Sequence, residues 1–156
     1  MKHNLVMLAA LFLAFPAGAE AGDMEDIVAA IEKRWTDTAK KQIDADASNP
    51  AGSWLATSQG GLWRFQSPAE AVAMITDSPN TLAFQPMHIS VQIMGSEKDV
   101  AYATYYLVGN IMIEGKPLIS NYRTRASTVY VKIGGKWLTS GEHYSPLYGG
   151  SGVVFD

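Results

Sequence analysis

The 156-residue chain contains no cysteine, which removes disulfides, thiolate catalysis, thiolate zinc sites and thioether lipid anchors together. Histidine is also scarce, with three in all. No His-x-His or His-x-x-x-His pair occurs, so no metal site and no cofactor are expected. Positive charge is thin: 12 Lys and Arg stand against 15 Asp and Glu, a net charge of −3. The basic groups are scattered rather than gathered into a phosphate-neutralising stripe, so nucleic acid is not an expected partner. There is no Gly-x-Ser-x-Gly elbow and no phosphate-binding glycine loop. Long apolar runs are missing too. The longest, Leu5 to Phe15, falls well short of the about 20 residues a membrane span needs. No internal repeat, low-complexity tract or second domain appears.

What is present begins with an export leader. Lys2 and His3 supply a positive start, the Leu5–Phe15 run follows, and Pro16 ends it. Two small-x-small cleavage sites come next, Ala17-Gly18-Ala19 and Ala19-Glu20-Ala21. The expectation is a signal peptide over 1–21, one domain over 22–148 and a loose glycine-rich tail over 149–156. The released protein is then periplasmic or extracellular, with no membrane anchor. Its roughly 135 residues suit one core, and a composition of 47% hydrophobic and 17% charged residues is globular. Without disulfides, that core must hold the domain alone.

Asp23 to about Asp46 reads as one amphipathic helix, with Ile27, Ile31 and Trp35 four apart and Glu32, Lys33, Lys40 and Lys41 off that stripe. Asn49-Pro50-Ala51-Gly52 stops it. Trp54, Leu55, Leu62, Trp63 and Phe65 around Ser58-Gln59-Gly60-Gly61 suggest a small hairpin. Ser67-Pro68-Ala69-Glu70 announces a second helix with a capping box. From Thr81 the apolar period becomes two. Turns at 96–99, 114–117 and 134–135 divide the rest into strands of about 82–94, 99–113, 118–133 and 136–145. Short turns make these strands antiparallel, so the class is α+β, with the sheet covering the long helix.

That order resembles the nuclear transport factor 2-like superfamily, within it the SnoaL-like group and the association domain of calcium/calmodulin-dependent kinase II. The carrying residues are Arg125-Ala-Ser-Thr-Val-Tyr-Val, Gly135-Lys-Trp137 and His143-Tyr-Ser145, with Val100-Ala-Tyr102 and the helix opening at Ser67 in support. The resemblance spans nearly the whole chain after the leader. It implies a cone-shaped, strongly curved antiparallel sheet (cystatin-like) wrapped around the first helix, with a cavity at its open end. Relatives use that cavity for isomerisation, dehydration, cyclisation, ligand binding or dimerisation, so the site has to come from residues.

In the strand 118–133, Val129, Val131 and Ile133 share a parity that reads as core-facing. Ser127, Arg125, Arg123 and Asn121 then continue that face as a cationic cavity wall. In the alternative, the strand outruns the core and both arginines meet solvent. A two-residue loop at Gly134-Gly135 sets Arg125 opposite Tyr144 and Ser127 opposite Glu142. A three-residue loop sets Ser127 opposite His143 and adds Trp137 to the valine face, and this second register is preferred. It makes His143 the candidate general base, with Glu142 on the other face. Tyr102, Tyr106 and His88 are candidate pocket residues, and Trp54 and Trp63 stand where the family closes its cavity mouth. With no other carboxylate placed inside, an isomerase or dehydratase is disfavoured.

The expected function is an exported, SnoaL-like small-molecule-binding protein holding a polar or anionic ligand in the cone cavity.

 Export takes the domain away from cytosolic nucleotides. Two further readings stand beside it: a SnoaL-like enzyme using a histidine base in proton transfer, isomerase, cyclase or hydrolytic chemistry, and a dimerisation or association module. A homodimer is expected under the first and third.

Overall fold

The structure, a computed structural model, describes residues 17–147, with side chains from 21 onward. The expected leader falls largely, and the expected tail wholly, outside the described residues.

Helix α1 spans Ala17–Ala39, so it starts before the expected Asp23 and stops well before Asp46. The stop is local. Lys41 takes a left-handed backbone (φ 56°), and the amides of Lys40 and Gln42 both return to the Asp37 carbonyl. A 3-10 turn over Ala45–Ala47 follows. Strands β1 (Ser53–Ala56) and β2 (Arg64–Gln66) form the expected small antiparallel hairpin. Helix α2, Pro68–Thr76, carries the expected capping box: Ser67 accepts from the Glu70 amide while Glu70 accepts from the Ser67 amide.

Four long strands complete the chain: β3 (Asn80–Met94), β4 (Val100–Ile113), β5 (Lys116–Ile133) and β6 (Lys136–Pro146). They pair as the expected antiparallel meander. β1 adds to the free side of β6 in parallel, with Leu55 opposite Glu142, so the sheet is six-stranded, mixed and open, in the order β2-β1-β6-β5-β4-β3.

One face of this sheet receives α1. Ile27, Ile31 and Trp35 are buried against Phe84, Ala101, Ala103, Tyr105, Leu107, Ile111, Ala126 and Tyr130. Each fully buried isoleucine contributes about 1.5–3 kcal/mol. An Asp23 carboxylate near the start of the helix accepts from Lys132 Nζ (2.5 Å) and Trp137 Nε1 (3.1 Å), tying it to the β5–β6 hairpin. The Lys132 bond leads the effects that hold the Asp23 carboxyl below its ordinary range.

The inward parity of β5 differs from the expectation. Thr124, Ala126, Thr128 and Tyr130 are the buried residues, while Arg123 and Arg125 are exposed. The hairpin register combines the two alternatives. Ile133 pairs with Lys136 across a two-residue loop, but Ser140 is an extra residue in β6, and beyond it Val129 pairs with Gly141 and Ser127 with His143. Asn49 holds the bulge from outside, its amide bonding the Thr139 carbonyl (2.8 Å) and its side chain the Ser140 hydroxyl (3.2 Å). The bulge reverses which residues of β6 face the helix. Thr139 points inward with Tyr130; beyond Ser140, Glu142 points inward with Thr128.

Candidate functional site in the cone

Because α1 ends at Ala39, the far half of the sheet extends past its cover. Helix α2 and the β1–β2 loop close over that end and leave a cavity of about 190 Å³. Leu82, Phe84, Leu107 and Ile111 form its apolar wall, and Met74 and Ile75 of α2 face them. At the mouth, the hydroxyls of Ser58 and Tyr122 lie 2.7 Å apart, joining the β1–β2 loop to β5. Phe84 packs between Trp35 (5.7 Å, 70°) and Tyr122 (5.7 Å, 34°).

The polar side of the cavity is built by Arg34, Glu142 and Tyr144. Arg34 follows Ile27 and Ile31 at helical spacing and so projects from the buried face of α1. Its Nη2 stands 3.7 Å from Glu142 Oε2, with the Glu142 side chain 5% exposed. Tyr144 donates to the other oxygen, Oε1, at 2.7 Å. Trp35 Nε1 reaches Tyr105 Oη (3.4 Å), which shares a hydrogen bond with Thr128 Oγ1 (3.2 Å). Burial first, then the Glu142 charge, pushes the Tyr144 and Tyr105 hydroxyls up. Burial, then Tyr105 and Glu142, does the same to Tyr130. Burial works against the Arg34 charge, but Glu142 and the tyrosines outweigh it, and the net shift is upward.

Most residues expected to form the site do converge, but on the opposite face of the sheet. Arg125 lies between Tyr106 of β4 and Ser145 of β6 in register. With His88, Tyr102, Ser127 and His143 it lines an open hollow of about 490 Å³. Trp63 lies over His143 (5.6 Å, 32°), and Trp54 meets Phe65 edge-on (5.4 Å). Neither tryptophan closes the cone. His88 sits at a break in the β3–β4 register with φ 53° and touches the Tyr106 ring edge-on. Arg123 is exposed and donates to Asn121 Oδ1 (3.3 Å). His143 is exposed, so the reading that makes it a base inside a dry cavity does not hold. Glu142 occupies the inner position instead, which restores a carboxylate to the cone. Among the described residues no group of three His, Asp or Glu side chains could hold a metal ion.

Arg34 and Thr38 are legible in the sequence as polar side chains that continue the Ile27–Ile31 stripe at helical spacing. Glu142 and Tyr144 depended on the Ser140 bulge, which no residue pattern announces.

No family model matches the chain, and no curated protein matches it. Solved structures do. An NTF2-like protein of unknown function from Pseudomonas putida KT2440 is 16% identical, with a TM-score of 0.62 over 80% of this chain and 87% of that one. A protein with a cystatin-like fold from Caulobacter vibrioides is 16% identical, with a TM-score of 0.63 over 80% and 89%. The CaMKII hub homology domain of Chlamydomonas reinhardtii is also 16% identical, with a TM-score of 0.62 over 81% and 99%. The long α1 helix against an open, curved meander, with a cavity where the helix stops, is the nuclear transport factor 2-like fold.

Proposed function

We propose that the chain is an exported small-molecule-binding protein of SnoaL-like type that holds a small polar ligand in the cavity at the open end of the cone. The observation that carries this reading is the Arg34–Glu142–Tyr144 group at the wall of a cavity whose opposite side is the apolar surface of Leu82, Phe84, Leu107, Ile111, Met74 and Ile75. A charge pair withdrawn from water adds little to stability after its desolvation is counted. A ligand pocket, by contrast, combines an apolar lining with a few placed polar groups. The leader composition supports export, and the exported form is expected to begin at Glu20 or Gly22 when its mass is measured. Binding is tested with a fragment library by ligand-observed NMR. Ile75→Trp, which fills the cavity from α2, should weaken hits by about tenfold or more, and Arg125→Ala should leave them unchanged. The opposite pattern would move the site to the outer face and overturn the reading.

A second reading, self-association, is favoured by the outer face itself. Trp54, Trp63, Phe65, Tyr102 and Tyr106 are 39–56% exposed there, and clustered exposed aromatics mark interaction surfaces.

A further inference from the structure

Resting on the cavity-binding reading, we propose that the ligand is uncharged and carries a hydroxyl group that bridges Glu142 Oε2 and Arg34 Nη2. The two atoms are 3.7 Å apart, beyond the length of a hydrogen bond. Tyr144 occupies Oε1, and among the described residues Oε2 has no hydrogen-bond donor. An acceptor and a donor so spaced, both on the cavity wall, suit a group that donates to one and accepts from the other. A hydroxyl oxygen does both from one position. Arg34 and Glu142 also cancel each other's charge. A carboxylate ligand would compete with Glu142 for Arg34 and leave one anion unpaired in a poorly hydrated site, and an ammonium would leave Arg34 unpaired by the same argument. Because the cavity is about 190 Å³, smaller than the about 300 Å³ at which drug-sized pockets begin, a single-ring alcohol or phenol is the fitting class.

Four probes of one shape separate these properties: benzyl alcohol, benzoate, benzylammonium and toluene. Titration of the native protein, followed by NMR shifts of the cavity residues, should rank benzyl alcohol first, with both ions weaker by about tenfold or more. Glu142→Gln frees the Arg34 charge and should raise benzoate affinity by about tenfold; Arg34→Gln should do the same for benzylammonium. If no probe shifts the cavity residues, the cavity-binding reading falls and this inference with it. If probes bind but benzoate ranks first, or toluene equals benzyl alcohol, only the ligand class is overturned. The native ranking decides the matter even if either variant fails to fold.

Discussion

Tyr144 and Glu142 stand two residues apart on β6 and meet through a 2.7 Å hydrogen bond on the inner face. With Tyr105 and Tyr130 they place three phenols where burial and a nearby carboxylate both oppose ionisation. Each of these hydroxyls has a folded pKa above its unfolded value near 10.0. The stability each contributes is therefore whole below pH 10 and is lost as the pH rises through the folded pKa. Urea unfolding followed by circular dichroism should show stability falling above pH 10, by at most about 1.4 kcal/mol per pH unit for each tyrosine. Tyr144→Phe should remove one tyrosine's share of that slope. It should also cost about 1–2 kcal/mol at neutral pH, since Glu142 loses its only bonded donor among the described residues. An unfolding midpoint that stays flat through pH 10 would contradict the account.

At the scale of elements, the sheet's curvature depends on places where strands break their ladder. At Gly109 of β4 an added Cβ would lie 2.0 Å from the Ala83 carbonyl oxygen and 2.8 Å from Phe84. The β4–β5 register shifts immediately afterwards. Gly109→Ala must push β3 and β4 apart beside the cavity wall, at a cost of about 2–3 kcal/mol. A thermal melt of that variant within one degree or so of the native value would show that the strands part freely. Such breaks also limited what was legible. The helices, the capping box, the hairpins and the meander follow from period and turn chemistry, and the structure has them. The facing of β5 does not. Its inner side carries Thr124, Ala126, Thr128 and Tyr130, small or hydroxyl-bearing residues that a count of apolar side chains passes over. Val129 and Val131 lie on the other side, only partly buried. Hydrophobicity therefore pointed to the wrong face. The Ser127–His143 pairing was expected from a longer loop; the extra residue sits instead at Ser140, and both side chains face outward.

The whole molecule has two surfaces of different character, a cavity at the open end of the cone with the Arg34–Glu142 pair on its wall and an outer sheet face with aromatics around Arg125, His88 and His143. A face of this kind buries itself most simply against its own copy about a two-fold axis, which needs only one self-complementary patch. Sedimentation equilibrium should then give twice the chain mass. Tyr102 lies near the middle of the aromatic group, beside Val129 in register and one step along the face from Ser127 and His143. Tyr102→Arg would set a new cation near Arg125 of both copies and should weaken association by about a hundredfold. Glu142→Gln, on the inner face, should leave the mass unchanged. Benzyl alcohol should still bind the Tyr102→Arg monomer, because Tyr102 is not among the residues that line the cavity. A native protein that remains monomeric at high concentration would overturn the association reading and leave the outer aromatics without a partner of this kind.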